Sequence, residues 1–346
     1  MTLIERAWYK RAKWLYLLLP LSWIFQVLIA VRRKILTRSA AAADTPVPVV
    51  VIGNISVGGT GKTPLLIFLC RTLQENGYKP GVISRGYGAA PPQTPFLVDK
   101  TSDPAVCGDE PALIAEHCGV PVVVDPDRLR AYRYLVNNHD VDVVISDDGM
   151  QHYRLPRHVE IAVVDGARLF ANRLCLPAGP LREPLRRLRE VDMLVVNGEP
   201  AESLPELFGA MIMTLNPRSL VNLKTGETRA FNGAPFKMGD QVQAVAGIGN
   251  PERFFSLARR LPYPVSCFSF PDHHAYSQND FMKHGIDPGQ PIVMTEKDGI
   301  KCRSFATDNF WVLKIEVALN AEFADQVLAL INHASPGVKQ EINHAG

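Results

Sequence analysis

None of the six cysteines falls in a C-x-x-C pair or a Cys/His zinc spacing. That excludes a zinc ribbon and a disulfide framework. Cys70, Cys107, Cys118, Cys175, Cys267 and Cys302 stand alone, several inside apolar runs, where a thiol acts as a small hydrophobe. A reducing compartment is expected. Net charge is also scarce: 37 basic residues against 35 acidic ones leave +2. No global field favours nucleic acid, and no nucleic-acid partner is expected. What the chain does have is length and apolar content. Its 346 residues, 47% hydrophobic, allow one large or two medium domains with a sizeable core.

The apolar content is concentrated at the start. Leu15 to Val31 carries no charge, with Arg6, Lys10, Arg11 and Lys13 before it and Arg32, Arg33, Lys34 and Arg38 after it. Three arrangements fit. A cleaved signal peptide would leave Arg32 to Arg38 awkwardly inside its cleavage region. A spanning helix over this stretch would reach only about 26 Å. A helix lying in the bilayer interface would put both basic flanks on anionic headgroups and Trp8, Trp14 and Trp23 in the interfacial zone. The third is preferred, and residues 1–45 are assigned to a membrane-associated helix and linker, the linker being the Ala- and Pro-rich Thr37 to Pro48.

Beyond it, short β-branched runs alternate with helical patterns. Val47 to Gly53, Pro80 to Ser84, Pro121 to Val124, Val141 to Ser146, Glu160 to Asp165 and Asp192 to Asn197 read as buried strands of a parallel sheet covered on both faces. Residues 46–216 are expected to form this P-loop NTPase-like domain. A hairpin around Thr225-Gly226 marks a connector over 217–235. A smaller α/β domain over 236–346 follows, with strands at Gln243 to Ala246, Pro291 to Thr295 and Phe310 to Ile315.

Between the first strand and the first helix lies Ser56-Val57-Gly58-Gly59-Thr60-Gly61-Lys62-Thr63. The strict phosphate-loop pattern begins with Gly, and Ser56 departs from it. The physical requirements are still met. Glycines let backbone N–H groups turn towards phosphate oxygens, and a helix N-terminus adds positive potential. Lys62 would reach the β- and γ-phosphates of ATP, and the Thr63 hydroxyl would bind Mg²⁺. After the fourth strand, Asp147-Asp148-Gly149 supplies carboxylates where such enzymes hold the metal, although Asp-Asp-Gly is also good turn chemistry.

Other polar groups are ambiguous from residue chemistry alone. Asp109 could accept a proton from a hydroxyl or simply cap a helix. His273, in Asp272-His273-His274, could be oriented by a carboxylate or belong to a polar loop. Arg85, Tyr87, Arg128 and Arg130 follow strands and are candidates for substrate contact. Thr295 to Asp298 is a possible nucleotide-pocket loop.

As a set these segments are more specific. GNISVGGTGKTP at Gly53 to Pro64, SRGYG at Ser84 to Gly88, GDEP at Gly108 to Pro111 and DDGMQHYRL at Asp147 to Leu155 resemble the tetraacyldisaccharide 4'-kinase family of Gram-negative inner membranes. So do LPAGPLREP at Leu176 to Pro184, GIGNPERF at Gly247 to Phe254, FPDHHAY at Phe270 to Tyr276 and TEKD at Thr295 to Asp298. Met150 stands where the family often has Leu or Phe. The resemblance implies transfer of the ATP γ-phosphate to the 4'-hydroxyl of an acylated glucosamine disaccharide 1-phosphate at the cytoplasmic face of the inner membrane, with no obligate protein partner. It implies that Asp109 activates the hydroxyl, that His273 orients Asp109 or tunes its charge, and that Asp147 and Asp148 manage Mg²⁺. His152 would stand further from the chemistry. The alternative, a soluble P-loop GTPase or ATPase acting as a switch or metallochaperone, leaves the basic, apolar N-terminus without a purpose.

Overall fold

The computed structural model describes residues 3–40 and 43–334. Thirteen strands are laid out in chain order as β1 (Val49–Gly53), β2 (Pro80–Ser84), β3 (Phe96–Val98), β4 (Val122–Val124), β5 (Val143–Asp147), β6 (Val159–Asp165) and β7 (Met193–Asn197), then β8 (Met211–Asn222), β9 (Thr228–Ala230), β10 (Val242–Ala246), β11 (Val265–Ser269), β12 (Ile292–Met294) and β13 (Phe310–Ala318). They form one sheet in the order β11-β10-β12-β13-β8-β7-β6-β1-β5-β2-β4-β3, with β9 paired to β8.

β1 lies centrally between β5 and β6, parallel to both. Its alternating side chains explain why the run is apolar throughout. Val50 and Ile52 enter one core cluster, with Leu65, Leu69 and Ile114. Val49 and Val51 enter the cluster on the opposite face, with Tyr132, Leu135 and Leu181. All four are fully buried, each contributing about 1.5–3 kcal/mol of transfer free energy.

β8 joins the two halves. Met211 to Met213 pair parallel with β7, whereas Thr214 to Asn222 pair antiparallel with β13. The end of β8 and β9 make the hairpin around Thr225-Gly226. The helix Ala321–Ala334, expected with the second block, instead returns to the first half. There Phe323, Val327 and Ile331 pack in the cluster of Leu65 and Leu69.

The N-terminal segment also departs from the expected single short helix. A helix at Leu3–Tyr9 and a 3₁₀ turn at Lys13–Leu18 precede a helix spanning Leu19–Ala40. The start of the expected linker, Thr37 to Ala40, is therefore helical. Trp23, Ile24, Val27, Leu28, Val31 and Ile35 are exposed along this helix. It is nevertheless docked on the body. Ser22 donates to the Cys175 carbonyl at 2.9 Å, and Arg33 pairs with Glu190.

Candidate active site

The carboxyl ends of the central parallel strands open into a cleft of about 2040 Å³, the place where open α/β sheets bind ligands. The phosphate loop leaves β1 there, and Asp147, the register partner of Ile52, ends β5 beside it. Gly58 and Gly61 adopt φ of 107° and 98°, which an L side chain rarely tolerates. Gly61 has a second constraint, because a Cβ there would come within 2.1 Å of Asn197 Nδ2. That amide donates to the Thr60 carbonyl at 3.0 Å and braces the loop from β7. Ser56 bridges to Leu181, and the Val57 N–H donates to the Pro180 carbonyl at 2.9 Å. The departure from the strict pattern therefore falls where the loop is held by a neighbouring segment.

Lys62 rests 3.4 Å from Asp148 Oδ1 and 3.5 Å from Asn54 Oδ1. Arg182 approaches Asp148 Oδ2 at 3.1 Å. Burial would raise the Asp148 carboxyl, but Lys62 and Arg182 outweigh it and hold the group well below the usual range. Asp147 goes the other way. Burial, with Glu110 and Asp148 adding negative charge, pushes it up to about 7. Asp148 has φ of 45°, a left-handed conformation uncommon for a residue other than glycine.

A second polar centre lies where the helices Asp109–Cys118 and Glu296–Cys302 meet. His273 Nδ1 is 3.2 Å from Asp109 Oδ2, and His273 has φ of 59°. Lys301 Nζ is 3.5 Å from Asp109 Oδ2. Burial would raise the Asp109 carboxyl, but the His273 hydrogen bond and the charges of Lys301 and Lys297 lower it. Tyr87 stacks obliquely on His273, ring centres 5.0 Å apart.

Of the residues singled out from the sequence, Ser56, Asp109, Arg130, His274 and Asp298 do not line the cleft, whereas Val57 to Thr63, Arg85, Tyr87, Arg128, Asp147, Asp148, His152, His273 and Thr295 to Lys297 do. Asp109 stands behind His273. Arg130 turns aside to a bidentate pair with Asp125, at 2.6 and 2.8 Å, and to Thr94. Arg128 is buried, donating to the Asp147 carbonyl at 2.8 Å and the Asp125 carbonyl at 3.2 Å, and burial lowers its pKa to about 10. Burial, then Arg128 and Arg85, push His152 down to about 4, so it is neutral near pH 7. Arg182, which the sequence offers with Arg186, Arg187 and Arg189 as a basic cluster for headgroups or substrate, and Lys297, in the Thr295 to Asp298 loop, both contribute here; two further contributors, Asn197 and Lys301, were not singled out. Arg182 and Lys297 lie in the LREP and TEKD segments, which do carry a signal; Asn197 ends an apolar strand and carries none.

A loop built to hold phosphates, opening into a cleft that an imidazole hydrogen-bonded to a carboxylate also faces, is the equipment of a P-loop phosphotransferase. Comparison with known proteins makes this particular. The family described as tetraacyldisaccharide-1-P 4'-kinase matches residues 14–332, and the chain belongs to that family. It is 43% identical over 335 residues to the tetraacyldisaccharide 4'-kinase of Hahella chejuensis, covering 95% of this chain and 96% of the relative. It is 44% identical over 343 residues to that of Nitrosococcus oceani, covering 99% and 97%. A 2.2 Å crystal structure of the "apo" form of LpxK from Aquifex aeolicus in complex with ATP superposes with a TM-score of 0.72 at 28% identity, over 92% of this chain and 99% of that one.

Proposed function

We propose that this enzyme transfers the γ-phosphate of ATP to the 4'-hydroxyl of a tetraacylated glucosamine disaccharide 1-phosphate, as a step of lipid A biosynthesis. The observation that carries the reading is the sharing of one cleft by the phosphate loop, the Asp147–Asp148 pair and His273 with Asp109 behind it. Lys62 and the loop amides would hold the β- and γ-phosphates. The acceptor oxygen attacks phosphorus, the bond to the β–γ bridging oxygen breaks, and ADP leaves. Asp109 takes the hydroxyl proton. Its lowered pKa makes it a modest base, which suits a transfer in which the proton moves late. His273 keeps the Asp109 carboxylate aimed.

The residues present also fit Mg²⁺, with Thr63, Asp147 and Asp148 as its holders. Asp147 Oδ1 is buried without a hydrogen-bond partner, and the carboxyl is raised by burial first and by the negative Glu110 and Asp148 second, both of which a cation would offset. Two carboxylates, with phosphate oxygens completing the shell, are a usual set for this ion. When bound, the metal neutralises charge on the transferring phosphates.

The N-terminal helix is assigned to the membrane interface at the cytoplasmic face rather than to a span. Ser22 and Arg33, about 17 Å apart along the helix, are both fixed to the same body. A spanning helix would have to leave that body. Trp8, Tyr9 and Arg32 also line the cleft, which puts its mouth where an acylated substrate would arrive. Residues 46–216, with the returning helix Ala321–Ala334, carry the nucleotide half, 217–235 the connector, and 236–320 the part that supplies His273. A kinase assay with labelled ATP and the tetraacyl disaccharide 1-phosphate, wild type against Lys62→Ala, tests the reading. Labelled lipid from the wild type and none from the variant is expected, and no lipid product from the wild type overturns it.

A further inference from the structure

The ammonium group of Lys297 makes three contacts. Its Nζ lies 3.1 Å from Glu110 Oε1, 3.4 Å from Asp272 Oδ1 and 3.3 Å from His273 Nε2. A lysine ammonium has three N–H donors and no acceptor. Each donor therefore has one partner, and two of the three are carboxylates. The third partner, His273 Nε2, must present its lone pair. Its proton is then on Nδ1, and Nδ1 faces Asp109 Oδ2 at 3.2 Å.

We propose that Lys297 is a positioning residue that fixes His273 in its Nδ1–H tautomer and so directs that proton at Asp109. The inference rests on the kinase reading and deepens it, because it decides between the two members of the pair. With Nε2 held by Lys297 and Nδ1–H committed to Asp109, His273 has no lone pair left to take a proton from a hydroxyl. Asp109 is the acceptor. Its Oδ2 receives His273 and lies 3.5 Å from Lys301.

The local arrangement suits a fixed lysine. Thr295 caps the helix, its hydroxyl accepting from the Asp298 N–H at 3.1 Å, so Lys297 projects from a held first turn. Burial opposes its charge, but Glu110 and Asp272 outweigh burial and keep it an ammonium. The charged groups facing His273 are Asp109 from one helix, Asp272 from its own loop and Lys297 from the other helix. Lys301 lies behind Asp109, and the remaining neighbour is the Tyr87 ring.

The test uses the full-length protein with Lys297→Met, Lys297→Arg, His273→Ala and the Lys297→Met/His273→Ala double variant. Lys297→Met is expected to lower kcat about tenfold to a hundredfold, the range for a group that orients another, with KM for ATP unchanged. Lys297→Arg should recover part of the loss, because a guanidinium also only donates. In the His273→Ala background, Lys297→Met should cost nothing further. A full, additive loss in that background overturns the proposal. The ¹⁵N spectrum of the wild-type imidazoles, with the His273 signals assigned by their absence in His273→Ala, reads the tautomer directly. An Nδ1–H ring in the wild type supports the proposal and an Nε2–H ring overturns it, even if Lys297→Met does not fold. A wild type that forms no phospholipid product overturns the kinase reading instead, and the tautomer measurement still judges Lys297.

Discussion

Gly249 packs directly on Gly59: a Cβ on Gly249 would come within 2.5 Å of the Gly59 amide nitrogen and 3.1 Å of its Cα. The second half of the chain thus touches the phosphate loop, backbone to backbone. Gly249→Ala should displace the loop and misalign the N–H groups that face phosphate. The expected outcome is a rise of about tenfold in KM for ATP, the equivalent of about 1.4 kcal/mol, with KM for the lipid little changed. Steady-state kinetics with each substrate varied in turn checks it.

Behind the cleft lies a buried ion network. Arg187, 2% exposed, pairs with Glu160 and approaches Glu183 Oε2 at 3.6 Å, while Tyr153 donates to Glu183. Removing Arg187 leaves Glu183 buried without its cation, and leaves Glu160 with Arg157 alone at 2.5 Å. Arg187→Leu is expected to destabilise the protein by about 3–5 kcal/mol, seen as a lower urea midpoint. A midpoint equal to that of the wild type would show that the network contributes nothing.

His152 gives a pH dependence with a definite sign. Its folded value is about 4 against an ordinary 6.5. Between those values the unfolded chain takes up a proton that the folded chain refuses. The contribution of this group to stability is therefore fully present above pH 6.5 and is lost as pH falls towards 4. His152→Asn should flatten the dependence of the unfolding free energy on pH across that window. Urea titrations of both proteins at pH 4.5, 5.5, 6.5 and 7.5 measure the difference.

The exposed apolar residues of the N-terminal helix should determine membrane binding. Replacing Trp23, Ile24, Val27 and Leu28 with serine removes apolar area that would otherwise enter the interface. Affinity for vesicles containing anionic lipid should fall at least tenfold in a flotation assay, while ATP binding is retained.

Legibility in the sequence followed burial. β1, β5, β6 and β7 announce themselves because almost every residue is covered from both faces and must be apolar. β11 at the sheet edge, Val-Ser-Cys-Phe-Ser, is only partly buried and carries no such run. The phosphate loop could be read because its chemistry is local. The roles of Lys297 and Lys301 could not, because they arise only when two helices nearly 190 residues apart (Asp109–Cys118 and Glu296–Cys302) are brought together. The N-terminal helix runs on past the apolar stretch through Arg32 to Ala40, where charged residues interrupt the hydropathy but not the helix.

β8 has a mechanical consequence. Because one strand pairs with β7 through its first residues and with β13 through the rest, the halves are not strung together by a slack loop. Any rotation of one against the other must be taken up as bend and twist of the backbone near Met213 and Thr214. A joint of this kind would resist rotation elastically, as a leaf spring does, where a loop would yield freely.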